Sequence, residues 1–210
     1  MELREALESN GTCRYYRPDP VPTAVLRRAL EAARFAPSGG NRQPVRFVVV
    51  TDPLLRRRLA ELYLPRWQAY VEAMTKGAVR VDTLPRMIQA ADHFAHHLAE
   101  VPALVVVGAR LADCHATDQE LGRLSVVGGA SIYPAVQNFL LACRAEGLGT
   151  ALTTLLCAEE PTIKPLLGLP EDISTAAMIA VGYPEQPFPK QLRRRPLAEI
   201  AFANRYGEPL

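Results

Sequence analysis

Three groups of residues in this chain have the types and spacing to do chemistry. The first is Thr12-Cys13-Arg14 near the start. The second is the turn Pro37-Ser38-Gly39-Gly40-Asn41-Arg42-Gln43, with Gly147-Leu148-Gly149 far downstream of it. The third is Arg193-Arg194-Arg195 in the tail. Arginines at both ends of a chain are suited to gripping one phosphate by charge-assisted, bidentate hydrogen bonds. Gly39 and Gly40 let the backbone approach a flat ligand closely, because neither carries a side chain. Asn41 and Gln43 each offer a donor and an acceptor, the set that reads the edge of a heterocycle. Each group also has an ordinary reading. Single arginines are solvated surface residues, Pro-Ser-Gly-Gly makes turns everywhere, and a glycine after a helix is a cap.

The elements that must position these residues are legible in outline. Met1 to Ser9 reads as a short helix. Pro22 to Phe35 reads as another, with Val25, Leu26, Ala29, Leu30 and Ala33 on one face and Pro22 near its start. The second group therefore follows a helix and precedes a strand, Val45 to Thr51. Asp52 is placed to cap a helix that begins at Pro53 and runs to about Leu64. Pro65 to Glu100 holds Trp67, Tyr70 and Met74, a polar break at Thr75-Lys76-Gly77, and a helix from about Leu84 to Leu98. Ala103 to Ala109 is a continuous apolar run, a strand buried on both faces.

Ser125 to Ala145 reads as a long apolar helix, with Gly147 as its left-handed cap. A strand over Ala151 to Leu156, a helix over Glu159 to Leu167 and a buried strand over Ala176 to Gly182 follow. The tail, Pro184 to Leu210, is rich in Pro and Arg and carries Phe188, Phe202 and Tyr206 as aromatic anchors. A partner subunit offers a surface for it. No internal repeat or linker is visible, so residues 1–210 read as one α/β domain.

Composition sets further bounds. With 49% hydrophobic and 22% charged residues the chain is globular rather than disordered. A net charge of +2 gives no bulk electrostatic reason to expect nucleic acid. No apolar run is long enough to cross a bilayer, and the charged, amphipathic start MELREALES lacks a signal-peptide core. The four cysteines, Cys13, Cys114, Cys143 and Cys157, form no C-x-x-C pair. They fit reduced thiols in a cytoplasmic protein better than a disulfide scaffold or a zinc site.

Competing chemistries find less support. His93 and His97 share a helix face and could bind a metal, but Phe94, Ala95 and His96 between them break the H-E-x-x-H pattern. A polar helix edge or lid is the better reading, and no metal is expected. Ser125 and Ser131 lack a G-x-S-x-G frame. Gly147-x-Gly149 follows a helix rather than a strand and has no third glycine, so a dinucleotide loop fails its own context. Arg56-Arg57-Arg58 lie among Leu54, Leu55 and Leu59, a solvated helix face.

The joint pattern resembles the nitroreductase-like FMN flavoprotein family along nearly the whole chain. The match starts at Arg14-Tyr15-Tyr16 with Asp19-Pro20-Val21-Pro22 and continues through Ala36 to Pro44. It resumes at Ala135-Val136-Gln137-Asn138-Phe139-Leu140-Leu141-Ala142 and Gly147 to Thr150. It closes with Ile179 to Pro184, Arg193 to Pro196 and Asn204-Arg205-Tyr206-Gly207. The order and spacing of these blocks together make the signal specific.

The resemblance implies an α+β fold, a mixed central sheet flanked by helices, assembled as an intertwined homodimer with FMN at the interface. It implies that Arg14 binds the phosphate and that Arg193 and Arg195 reach the same phosphate from the tail. Pro37, Ser38 and Gly39 would line the isoalloxazine, with Asn41 and Gln43 beside it. Gly147, Leu148 and Gly149 would sit near its reactive N5 face, where a backbone N–H can hold N5. Gln137 and Asn138 match the family's helix pattern. Many members open with Arg-Arg-Ser where this chain reads Asn10-Gly11-Thr12. Thr12 can replace the serine hydroxyl, while the first arginine is missing and Arg14 carries more of the grip. Many relatives also have tryptophan at the position of Val45.

The activity implied is transfer of reducing equivalents from NADH or NADPH, through the flavin, to an electron-poor acceptor such as a nitroaromatic or a quinone. Positive charge near the pyrimidine edge would stabilise the reduced ring, and Arg42 is one option for it. No catalytic side chain is assigned. The alternatives are a flavin-storing or flavin-sensing protein with little turnover, and a specialised branch doing reductive dehalogenation or flavin fragmentation. Residues 63–98 are the expected lid, where Trp67, Tyr70 and Met74 either stack on an acceptor or simply pack.

Overall fold

The computed structural model describes residues 1–75 and 80–210. Lys76 and Gly77 of the expected polar break lie outside the described residues. Among the described residues, four strands form one sheet: β1 (Val45–Val50), β2 (Ala103–Arg110), β3 (Gly149–Thr153) and β4 (Ile173–Gly182), in the order β1-β2-β4-β3. These strands pair antiparallel throughout. The parallel component is a single bridge from Thr12 to Thr150, at the outer edge of β3.

β2 and β4 are apolar without alternation because they lie at the centre of the sheet with helices on both faces. Side chains alternate across a strand, so Val105, Val107, Ile179 and Val181 enter one core with Leu26 and Ala29 of α2 (Thr23–Ala33) and Phe139 of α5 (Tyr133–Ala145). Leu104, Val106, Met178 and Ala180 enter the other. That second core is closed by α3 (Pro53–Thr75), α4 (Arg86–His96) and α6 (Glu160–Leu167). Each large side chain fully buried here stabilises the fold by about 1.5–3 kcal/mol.

The expected boundaries differ in three places, each for a physical reason. α3 does not stop near Leu64 but runs through Pro65 to Thr75. A proline inside a helix costs about 3 kcal/mol. Leu59, Tyr63, Trp67 and Val71 recur every fourth residue and are all buried, so continuing the helix adds two apolar anchors that offset that cost. Its start is as expected: Asp52 Oδ1 accepts the N–H groups of Leu54 and Leu55, each at 2.9 Å.

The helix expected from Ser125 begins only at Tyr133, with Pro134 in its first turn. Residues 125–132 instead form turns tied to Asp118, described below. β3 begins at Gly149, earlier than expected, and gives way to a 3-10 turn over Leu155–Glu159. Trp67 is core: it is buried and its Nε1–H donates to Asp92 Oδ1 at 2.8 Å. Tyr70 and Met74 remain exposed.

The tail first packs on its own chain. The Leu192 N–H donates to the Glu8 carbonyl of α1 (Leu3–Ser9) at 2.7 Å. From Arg193 onward it is largely exposed, and Tyr206 reaches 92% exposure. No helix among the described residues is long and apolar enough to cross a membrane.

Candidate functional site

The N-terminal motif is stitched into the β3–β4 edge of the sheet. Cys13 N–H donates to Thr150 O at 2.8 Å, Arg17 N–H to Tyr183 O at 2.9 Å, and Glu185 N–H to Tyr15 O at 3.2 Å. The buried Tyr16 hydroxyl donates to the Cys13 carbonyl at 2.8 Å. Burial pushes its pKa well above the ordinary tyrosine value, so it stays a donor. Gly149 faces Cys13 so closely that a Cβ there would lie 2.6 Å from the Cys13 Cβ. A glycine at 149 is therefore a packing requirement as well as a route of backbone approach. Burial also raises the pKa of the Cys13 thiol, which keeps it protonated.

This motif and the tail enclose a cavity of about 570 Å3. Thr12, Cys13 and Arg14 line one wall; Phe188, Leu192 and Arg194 line the other. The volume lies within the range of small-molecule sites. Arg14 and Arg194 enter no salt bridge among the described residues, so both guanidinium groups keep donors for an anion. The tail arginine brought to Arg14 is Arg194, whose Nη1 also donates to the Arg193 carbonyl at 2.8 Å. Arg193 and Arg195 flank it, exposed, and do not line the cavity.

The Pro37–Gln43 turn lies at the opposite edge, leading into β1. Gly40, Asn41 and Gln43 have φ of 58°, 53° and 51°, the left-handed region. For Gln43 that conformation is strained by about 1–3 kcal/mol, and such strain clusters at ligand clamps. Local bonds hold it. Gln43 N–H donates to Ser38 Oγ at 2.9 Å, Gln43 Nε2 to Asn41 Oδ1 at 3.2 Å, and Gly39 N–H to Ser131 Oγ at 3.0 Å. The turn faces a second cavity of about 450 Å3, lined by Pro37, Ser38, Gly39, Arg42, His115 and Ser131 among others. This cavity shares no lining residue with the first.

The expected site residues thus fall into two sets within one chain. Thr12, Arg14 and Gly149 stand on the β3 side, with Arg194 between Arg193 and Arg195. Pro37, Ser38, Gly39, Asn41 and Gln43 stand on the β1 side. Gly147, with φ of 78°, is the helix cap expected of it, and its N–H donates to the Arg144 carbonyl at 3.1 Å. The Leu148 side chain is buried in the core and its N–H closes on Cys143 O at 2.8 Å. Neither amide is left to a ligand.

Sequence reasoning missed Ser131 and Asp118. Asp118 accepts from Ser125 Oγ at 2.7 Å, Val126 N at 2.9 Å and Arg123 at 2.8 Å, which holds its carboxyl below the ordinary aspartate range. The Asp118 bonds fix the loop that carries Ser131 to the turn. No motif announces them; the signal available was one carboxylate followed by Arg123 and Ser125, at the start of the stretch expected to be helix. His93 lies on α4 and His97 directly follows that helix. The rings stack at 4.0 Å, with Tyr15 on the other side of His93 at 4.5 Å. Among the described residues no group of three or more His, Cys, Asp or Glu is placed to hold a metal.

The helix-clad antiparallel sheet is a fold shared with solved flavoproteins. Oxidized iodotyrosine deiodinase bound to FMN and 3-iodo-L-tyrosine superposes with a TM-score of 0.68 at 24% identity, covering 98% of this chain and 100% of that one. The Nitroreductase family model matches residues 9–183, and the chain belongs to that family. A protein named NADH dehydrogenase from Thermus thermophilus is 31% identical over 203 residues, 96% of each chain. Iodotyrosine deiodinase 1 of Rattus norvegicus is 27% identical over 187 residues, 88% of this chain and 63% of that protein.

Proposed function

We propose that this protein is an FMN-dependent oxidoreductase that passes reducing equivalents from NADH or NADPH to an electron-poor acceptor such as a nitroaromatic or a quinone. The observation that carries the reading is the cavity lined by both Arg14 and Arg194, neither in a salt bridge among the described residues, beside the glycine edge of β3. Family membership and the name NADH dehydrogenase of the Thermus relative support the same class of reaction. FMN fits the donor set: two free guanidinium groups and the Thr12 hydroxyl suit a phosphate dianion. Bound there, FMN supplies the two-electron carriage between nicotinamide and acceptor.

The chain's own residues bind and orient. Arg14 and Arg194 hold the phosphate end, with Thr12 beside them. Pro37, Ser38 and Gly39 present a flat backbone to the ring, and the strained Asn41–Gln43 pair offers amide groups to its edge. These two halves stand at opposite edges of the sheet, so a ring held by both needs a second copy of the chain. A homodimer supplies that copy twice by symmetry. The exposed tail beyond Arg193, with Leu197 and Ile200 uncovered, is the segment suited to wrap the partner. Within the expected lid, the exposed Tyr70 and Met74 of α3 are then the side chains left to meet the acceptor, since Tyr63, Trp67 and Val71 are core. Four unpaired thiols suit a reducing, cytoplasmic setting.

Purified protein is expected to be yellow and to bleach when NADH or NADPH is added without oxygen. A yellow protein that ignores both donors favours storage or sensing, and a protein that stays colourless after reconstitution with FMN overturns the reading. Reductive dehalogenation is a second reading, favoured by the relationship to iodotyrosine deiodinase 1. Turnover of 3-iodo-L-tyrosine by the reduced protein would support it.

A further inference from the structure

Arg144, in the last turn of α5, is 9% exposed. A buried cation is costly unless it is paired or hydrogen-bonded. Among the described residues Arg144 enters no salt bridge, and Glu146, the nearest acidic residue in sequence, is taken by Arg28 at 2.6 Å. Its partners are of another kind. Nε donates to Ser9 Oγ at 3.1 Å, and the guanidinium carbon lies 3.9 Å from the centre of the Phe188 ring. The Ser9 hydroxyl in turn donates to Glu5 O at 2.6 Å. A helix macrodipole explains a cation at the end of α5, but neither its burial nor its stacking on the tail.

These bonds place Arg144 at the junction of α5, α1 and the tail. Phe188 lines the cavity that holds Arg14. Four residues beyond Phe188 the tail is bonded to Glu8 through Leu192, and Arg194 follows on the cavity wall. Pro189 and Leu192 of this stretch also press on Gly11, where a Cβ would meet both at 3.2 Å. The course of the tail from Phe188 to Arg194 is therefore set by three contacts, with Phe188 on Arg144, Leu192 on Glu8, and Pro189 and Leu192 on Gly11.

We propose that Arg144 is a positioning residue for phosphate: by stacking on Phe188 it holds Arg194 opposite Arg14, and so makes the site select FMN over riboflavin. This inference rests on the FMN reading above. It assigns Arg144 no contact with the cofactor. Its effect passes through Arg194, so its loss weakens recognition of the phosphate and leaves recognition of the ring alone.

The test is a titration of the full chain, freed of bound flavin, with FMN and separately with riboflavin, followed by flavin fluorescence. Methionine is long, flexible and tolerant of burial, so Arg144→Met removes the charge with little loss of volume. Affinity for FMN is expected to fall about ten-fold or more, and affinity for riboflavin to stay within about two-fold. Equal losses for both flavins, the mark of a merely structural role, would overturn the proposal, as would an unchanged FMN affinity. Ser9→Ala, which removes the Nε acceptor and lies off the cavity wall, gives a smaller loss in the same selective sense; it decides the matter if Arg144→Met does not fold. Should the wild-type chain fail to bind FMN, the functional reading falls and this inference with it. Should it bind FMN tightly while both variants keep the preference over riboflavin, the inference alone falls.

Discussion

Arg14 owes its position to its neighbours: the Cys13 N–H donates to Thr150 of β3, the Tyr15 carbonyl accepts from Glu185 just beyond β4, and the Tyr16 hydroxyl closes on Cys13. Its guanidinium is thus carried on a fixed backbone and enters no salt bridge among the described residues. Arg14→Met should weaken FMN binding about ten- to one-hundred-fold, as expected for losing charge-assisted hydrogen bonds, and a fluorescence titration reads this directly. His93 is a second residue with a measurable signature. Burial, and then the stacked His97, lower its pKa below the ordinary 6.5, against weaker opposing pulls from Glu185, Glu100 and Asp92. The unfolded chain therefore binds a proton that the folded chain rejects in this interval. The contribution to stability is full above about pH 6.5 and is lost as pH falls through the lower folded value. His93→Phe, which keeps a ring against Tyr15, should flatten the fall in Tm below pH 6.5 relative to wild type. At this scale Arg14 and the Pro37–Gly39 turn stand out in the sequence by type and order, whereas the tail arginine on the cavity wall is Arg194 rather than Arg193 or Arg195. Asp118 and Ser131 do not stand out, because a hydroxyl or carboxylate that bonds a distant loop leaves no periodic trace.

Elements were legible where burial alone decides them. The apolar runs of β2 and β4 could only be central strands, and Asp52-Pro53 could only begin a helix. α3 was misread at Pro65 because local propensity there opposes tertiary burial, and burial of Trp67 and Val71 wins. The stretch before α5 was misread for the opposite reason: its apolar small residues look helical, while Asp118 draws Ser125 and Val126 into turns. β3 carries the sharpest prediction at this scale. In Gly149→Ala the new methyl must displace Cys13, whose Cβ and Sγ lie 2.6 and 2.7 Å away. Overpacking of this kind costs about 1–3 kcal/mol, which lowers Tm by about 2–12 °C in a chain of this size. Because Cys13 adjoins Arg14, FMN affinity should fall as well. A variant with unchanged Tm and affinity would show that this close approach does not matter.

At the scale of the whole molecule, the sheet separates the two halves of the candidate site, and one chain holds both without joining them. The sequence held both halves but not their separation, since strand order is set by packing between residues far apart in the chain. A particle of twice the chain mass is expected in solution, by light scattering, with Arg14 of one subunit and Gly39 of the other serving the same FMN. Hybrid dimers test this most directly. One subunit carries Arg14→Glu, and its partner carries Gly39→Phe, which fills the turn cavity; each variant alone should bind no FMN. In the hybrid a shared site restores one intact pair, so about one FMN per dimer is expected. A hybrid that binds no FMN, from subunits that still pair, would contradict the claim.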